Sequence, residues 1–201
     1  APTVPQVMIS GDRGDTWQDA DSSPGSGGAF DLFEDLIYRD GLFVGVTGSG
    51  IQVSSDGNTW NEIIDVPEGV ALDTIVDDGA QLVAAGSGAV VLTSFDGYNW
   101  TGTQTPVERV RYFSAAGNGS KLVLGGGWGP YLCLQGYTCP TFKGPHGMSS
   151  TDGGVTWDVF NIVGSFEDGS YDSLGLAWGN DRFVSVGRFI ESGEGTIFTV
   201  D

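Results

Sequence analysis

The sequence predicts an all-β protein built of short strands, and three observations support this fold class. First, the chain of 201 residues contains 34 glycines, more than twice the usual share of about 7%, which favours many tight turns. Second, short apolar runs alternate with Asp-Gly and Asn-Gly turns, for example in residues 36–54, as in β-hairpins. Third, no segment has an apolar period of 3.6 residues, which an amphipathic helix would need.

Four copies of one motif divide the chain into similar segments. Each copy reads Ser-x-Asp, then Gly-rich turn residues, then Thr or Asn before Trp, and the four tryptophans follow one another at intervals of 43, 40 and 57 residues. The segments before the motifs also align, each as two apolar strands joined by a turn. Periods in the forties are typical of four-stranded propeller blades. The motifs, called box turns below, cover residues 10–17, 54–60, 94–100 and 150–157.

The box turns resemble the Asp-box, or BNR repeat, of sialidase-like and related β-propellers. The resemblance extends over essentially the whole chain and implies a β-propeller of four-stranded antiparallel blades, with each box between the third and fourth strands. It also implies structural roles: Asp accepts backbone N–H groups of the turn, Gly adopts a positive φ, and Trp packs between sheets. The residues expected in these roles are Ser10, Asp12, Gly14, Trp17, Ser54, Asp56, Trp60, Ser94, Asp96, Trp100, Ser150, Asp152, Gly154 and Trp157.

About four blade periods are present, whereas propellers of this kind usually carry six to eight blades. Residues 1–201 are therefore expected to form a single propeller domain or a propeller fragment. Residues 199–201 align with the start of a fifth box turn. Three arrangements follow: a longer chain supplies the remaining blades, further copies of the chain complete the ring, or four blades close alone.

An insertion in residues 127–147 is the candidate ligand-binding element. It lies between the second and third strands of the third repeat, a connection that in propellers opens on the ligand-binding face. Its aromatic rings could stack on sugars or anchor a protein, and the alternative is a loop that packs only on itself. Cys133 and Cys139 could form a disulfide that closes a small ring within the insertion. A disulfide is favoured over a role of the two cysteines as metal ligands. The candidate ligand-binding residues are Trp128, Tyr131, Tyr137, Phe142, Lys143 and His146.

The chain is strongly acidic, with 26 Asp and Glu against 8 Lys and Arg and a formal net charge of −18. Such a surface repels phosphate backbones and anionic membranes, and without a basic stripe it argues against nucleic-acid binding. No apolar run approaches 18 residues, so membrane insertion is not expected. We expect a secreted or cell-surface protein without a cofactor. A Ca²⁺-loaded surface is the alternative, because oxygen ligands are abundant.

The expected function is binding of a glycan or a protein partner through the strand-connecting face and the insertion. Because the same scaffold also occurs in hydrolases, the sequence leaves open whether the protein is an enzyme. A non-catalytic role is favoured. A sialidase is not expected, because its arginines and tyrosine nucleophile cannot be mapped. The first alternative is a fragment of a glycoside hydrolase that uses paired carboxylates. Its acidic residues are expected near blade entrances, although such clusters are more often solvated turns; they are Asp31, Glu34, Asp35, Asp73, Asp77 and Asp78. The second is a structural subunit that assembles with copies of itself.

Overall fold

The computed structural model is all-β in the residues that it describes. These residues form seventeen strands in five antiparallel sheets. None of the described segments is a helix of the length and apolarity needed to span a bilayer. The described ranges are 7–20, 32–66, 70–107, 110–127, 146–161, 171–189 and 195–200.

Three of the sheets contain four strands each, and in each sheet the strands are ordered as they follow in the chain. Every neighbouring pair of strands in these sheets is antiparallel, and a short hairpin joins the first two strands of each sheet. Sheet I contains β3 (Phe33–Arg39), β4 (Leu42–Thr47), β5 (Gly50–Ser54) and β6 (Asn61–Asp65). Sheet II contains β7 (Ala71–Asp77), β8 (Leu82–Ser87), β9 (Val90–Ser94) and β10 (Thr101–Gln104). Sheet III contains β11 (Arg111–Gly117), β12 (Leu122–Gly127), β13 (His146–Ser150) and β14 (Asp158–Asn161).

The remaining two sheets are smaller. The first, called the outer hairpin, pairs β1 (Met8–Ile9) with β2 (Gln18–Asp19) across the first box turn. The second, sheet IV, consists of β15 (Tyr171–Gly179), β16 (Arg182–Phe189) and β17 (Gly195–Val200). The predicted four-stranded pattern therefore holds for sheets I to III, while the described residues give the outer hairpin two strands and sheet IV three.

The sheets pack face to face in chain order, as the blades of a β-propeller do. The first strands of the sheets, β3, β7, β11 and β15, contact one another in succession, so they form the inner side of the array. Apolar side chains fill each space between neighbouring sheets. The fully buried members include Val44, Val46 and Leu72 between sheets I and II, Val83, Tyr112 and Leu124 between sheets II and III, and Val123 between sheets III and IV.

The array has two edges with different contents. The link edge is the edge where the inner strands begin and where the second and third strands of each sheet are connected. The turn edge carries the hairpins after the inner strands and all four box turns. The two edges lie at opposite ends of strands that are four to nine residues long, so chemistry at one edge is separate from chemistry at the other.

Candidate functional site

The box turns at the turn edge share one hydrogen-bonding pattern. In all four, the serine hydroxyl accepts the N–H of the box glycine at 2.7–2.9 Å, and the aspartate Oδ1 accepts a later turn N–H at 2.8–2.9 Å. The tryptophan Nε1 donates to the glycine carbonyl at 2.9–3.1 Å. The glycines have φ between 74° and 96°, the left-handed region that suits Gly.

These contacts make the box aspartates poor candidates for catalysis. Hydrogen bonds from the side chain and backbone N–H of Thr16 lower the pKa of Asp12 to about 2. The corresponding bonds from Thr156 lower the pKa of Asp152 to about 2. Carboxylates of this kind stay ionised near neutral pH and cannot serve as general acids. Among the described residues, no three Asp, Glu, His or Cys side chains are grouped closely enough to hold a metal ion.

Each inner strand carries a β-bulge at the same position, near the link edge. The pairing shifts between Phe33 and Asp35 in sheet I, and at the corresponding step in the other three sheets. A bulge leaves one residue outside the ladder and redirects its side chain, which is a common device beside binding sites. The four residues left without a Cα partner, called the bulge set below, are Glu34, Asp73, Phe113 and Leu174.

One arginine connects the bulge set across two sheets. Arg111, the first residue of β11, donates from Nε to Oδ2 of Asp73 at 2.8 Å and from Nη2 to Oδ1 of the same carboxylate. The Arg111 guanidinium carbon lies 5.3 Å from the centroid of the Phe113 ring, within the range of a cation–π contact. Bidentate pairing fixes the guanidinium plane, so these three side chains form a preorganised unit.

Together with Glu34, this unit carries a net negative charge. The Asp73 side chain is 5% exposed and that of Arg111 is 42% exposed. The carboxylate of the pair is therefore buried, whereas the guanidinium side chain is accessible to solvent. The hydrogen bond to Asp73 raises the pKa of Arg111, and the charges of Asp73 and Glu34 add to that effect against the cost of burial. Glu34 is exposed and leaves the group with two carboxylates for one guanidinium.

The other predicted acidic residues have structural partners instead. Asp35 accepts bonds from Thr74 Oγ1 at 3.2 Å and the Ile75 N–H at 3.0 Å, which ties sheet I to sheet II. Asp77 pairs with an arginine of sheet I at 3.1 Å, and Asp78 accepts two N–H groups of its own hairpin turn at 2.7 Å. Placing Asp77 and Asp78 near a blade entrance was therefore wrong, because both lie at the turn edge. Asp31 is outside the described residues.

The predicted insertion leaves and rejoins sheet III at the link edge. Gly127, the last residue of β12, is the Cα partner of Arg111, and the backbone of His146 begins β13 opposite Asn161. Cys133, Cys139 and the remaining candidate residues lie outside the described residues. They are Trp128, Tyr131, Tyr137, Phe142 and Lys143.

Sequence reasoning missed Arg111 and Phe113. The available signal was the alignment of the repeats, which places Glu34, Asp73 and Phe113 at equivalent positions of successive segments. Tyr112, next to them, is no candidate nucleophile, because burial raises the pKa of its phenol to about 12.

The fold and this geometry define the class of protein: a β-propeller with a polar and aromatic cluster at its link edge. Solved structures agree on the fold. YCF48 bound to D1 peptide superposes with a TM-score of 0.63 and 15% identity over 98% of this chain. The Myceliophteria thermophila Cps50 (Swd1) β-propeller domain gives a TM-score of 0.55 at 12% identity over 92% of this chain and 60% of its own.

A designed protein is similar over almost its full length. The computationally designed Ika4 protein gives a TM-score of 0.54 at 11% identity, covering 90% of this chain and 96% of its own. The chain spans 57% of the length of YCF48. No family model and no curated protein sequence matches the chain. At these identities the likeness shows the fold alone.

Proposed function

We propose that this β-propeller binds a protein partner by holding an extended peptide segment at the link edge, against the bulge set and Arg111. The observation that carries the proposal is the bidentate Arg111–Asp73 pair beside Phe113. A largely buried carboxylate that fixes an exposed guanidinium joins two sheets and holds an aromatic ring close to the links. Preorganised aromatic and arginine side chains are the usual anchors of protein interfaces.

The charge of the site favours a basic segment. Asp73 is neutralised by Arg111, whereas Glu34 is exposed and adds a negative charge beside them. The whole chain carries a formal net charge of −18, which accelerates encounter with a positively charged partner. Apolar contacts come from Phe113, which is half-buried, and Leu174, which is 46% exposed. The proposed ligand is therefore a peptide that combines Lys or Arg with an apolar side chain.

A neighbouring fold supports this choice of ligand. The structure of YCF48 contains a bound D1 peptide, so a propeller of this shape accommodates a peptide. We also propose that the four box turns are Asp-boxes, since they share one pattern of hydrogen bonds from serine, aspartate and tryptophan. That assignment concerns the scaffold and leaves the ligand open.

Panning a phage-displayed library of random short peptides on the immobilised chain tests the proposal. Enriched peptides should be basic with an apolar residue, and synthetic copies should bind with an affinity that falls as salt rises. Glu34→Gln and Phe113→Ala should each weaken binding by about tenfold or more, which corresponds to ~1.4 kcal/mol. Asp40→Asn is the matched control, because Asp40 is 89% exposed at the turn edge.

Three results would overturn the proposal. They are a library without enrichment, enriched peptides whose affinity is the same for Glu34→Gln, Phe113→Ala and the unchanged chain, and enriched peptides that are acidic. Binding on a glycan array that Phe113→Ala removes, without any peptide binding, would identify a glycan-binding module instead. Turnover of aryl-glycosides or β-glucans would favour the hydrolase alternative.

A further inference from the structure

The outer hairpin lies where the two outer strands of a preceding blade would lie. Thr93, which precedes the box serine of sheet II, has its Cγ2 3.2 Å from the position of a Cβ on Gly154 of sheet III. Ile9 precedes the first box serine in the same way, and its Cγ2 lies 3.6 Å from the position of a Cβ on Gly57 of sheet I. The hairpin therefore sits on sheet I as β9 and β10 sit on sheet III.

A cleft of about 440 Å³ lies beside this hairpin, where the first two strands of that preceding blade would lie. The hairpin lines it with Met8 and Trp17, and sheet I lines it with Leu36, Phe43 and Trp60. Leu36 is 48% exposed there, whereas an apolar residue at the equivalent position of sheet II is packed against sheet I. That residue is Ile75, and it is 4% exposed. This face of sheet I is thus apolar and uncovered among the described residues.

In the part of the chain that the structure describes, sheet IV has the complementary uncovered face at the other end of the array. Its Leu176 and Phe183 pack against Ala116 and Val123 of sheet III. Because side chains alternate along a strand, the facing pair Ala177 and Val184 and the neighbouring Val186 lie on the opposite side of sheet IV.

The equivalent side of sheet III is buried. Ala116 and Val123 of sheet III are 4% and 0% exposed because sheet IV covers them. On sheet IV, Ala177 is exposed, Val184 is half-buried and Val186 is 42% exposed.

We propose that the uncovered face of sheet IV packs onto the uncovered face of sheet I in a second copy of this chain. The occupant is inferred from an interface that the molecule already contains. Alanine and valine of sheet III meet leucine and phenylalanine of sheet IV, and the two uncovered faces carry the same pairing, Ala177 and Val184 opposite Leu36 and Phe43. Strands β15 and β16 of one copy fill the cleft beside the outer hairpin of the other.

The contact is head-to-tail, so each copy supplies one face of each kind. When sheet IV of each copy packs onto sheet I of the other, the two copies form a closed ring of sheets. Strand β17 ends within Thr199-Val200-Asp201, and the partner's β1 directly precedes Ser10-Gly11-Asp12, so the two strands occupy equivalent positions in a blade. Since β17 pairs with the outer side of β16 within one chain, the assembly keeps either β17 or the partner's β1 at that position.

Cysteine cross-linking of the full chain tests the contact. All variants carry Cys133→Ser and Cys139→Ser, so that only introduced thiols react. Ala177→Cys together with Leu36→Cys should yield, on oxidation, a covalent species of twice 21.0 kDa. The matched control is Ala116→Cys with Leu176→Cys, the equivalent pair inside one molecule, which should link within a single chain of 21.0 kDa.

Sedimentation over a wide range of concentrations gives an independent measurement. The unchanged chain should reach a mass of twice 21.0 kDa, and Val186→Asp or Leu36→Asp should return it to a single chain. Phe95→Asp should keep the double mass, because Phe95 is 76% exposed at the turn edge. A single-chain mass at every concentration, a double mass that both face variants retain, or an Ala177–Leu36 link within one chain would overturn the proposal.

Discussion

The first and second box turns share the hydrogen bonds of their serine, aspartate and tryptophan but differ greatly in burial. Trp17 is 60% exposed and Trp60 is 8% exposed, although both indoles donate to the carbonyl of their box glycine. The ring of Trp60 lies 4.7 Å from that of Phe33 and 6.4 Å from that of Phe43, measured between centroids. Phe33 belongs to the first strand of sheet I and Phe43 to the second. The local sequence therefore determines the turn, whereas the first two strands of the same sheet determine whether its tryptophan is buried.

Removing the buried tryptophan should have the largest effect. Trp60→Ala deletes a side chain that packs against Phe33 and Phe43, and such deletions in a core cost about 3–5 kcal/mol. Urea unfolding followed by circular dichroism measures the loss. Tyr98→Ala, at a half-exposed position of the third box turn, is the control and should change the free energy of unfolding by less than about 1 kcal/mol. A loss from Trp60→Ala as small as that of the control would contradict this account of its burial.

The box glycines give a second, smaller contrast between a packed turn and an isolated one. Gly97 has φ +77°, and a Cβ there would lie 2.8 Å from Cδ2 of Leu42 in sheet I. Gly14 has φ +96°, but the nearest atom to its Cβ position is 4.0 Å away. Alanine at either position pays backbone strain of about 1–2 kcal/mol, and Gly97→Ala adds about 1–3 kcal/mol of overpacking. The midpoint of urea unfolding should be lower for Gly97→Ala than for Gly14→Ala. The reverse order would show that sheets I and II do not meet at Gly97.

The features predicted from the sequence are those that short segments determine. The all-β class is confirmed by the sheets, and each box turn closes through hydrogen bonds within eight residues, so its motif is visible in the printed sequence. The bulge at Phe113 depends on how β11 pairs with β12, which no single segment encodes. Val123 and Val184 are chemically identical and differ only in what lies against them.

Other expectations stay predictions, because they concern residues or conditions that the described structure does not test. The Cys133–Cys139 disulfide, the glycan ligand, the secreted location and the Ca²⁺-loaded surface belong to this group. The predicted site at residues 127–147 also stays a prediction, and its first residue, Gly127, lies opposite Arg111 of the candidate site described above. The central residues of that candidate site were not predicted, because a cross-sheet ion pair requires the packing of sheet II on sheet III.

Acid should distinguish the packed turns from the isolated one. Hydrogen bonds hold the pKa of Asp152 near 2 in the folded protein, below the unfolded value of about 3.9. A depressed pKa contributes stability that is complete above the unfolded value and is lost as the pH falls through the folded one. The free energy of unfolding should therefore decline between about pH 4 and pH 2, and Asp152→Asn should make this decline shallower.

The same substitution in the isolated turn provides the control for the acid measurement. Asp12 has a pKa near 2 for the same reason, but its turn is attached to sheet I mainly through the outer hairpin. Asp12→Asn should leave the pH profile of global unfolding nearly unchanged. Equal effects of Asp12→Asn and Asp152→Asn on that profile would show that the outer hairpin unfolds together with the sheets.

Trp17→Ala should have the smallest effect in dilute solution. Most of the indole is in contact with water, and its hydrogen bond to the Gly14 carbonyl is local, so we expect a change within about 0.5 kcal/mol in urea. Concentration makes this variant informative, because Trp17 lines the cleft that a second copy is proposed to fill. If a partner covers Trp17, the loss of stability should grow as the protein concentration rises, since association stabilises by mass action. A loss that is large even at high dilution would mean that part of the same chain already buries this tryptophan.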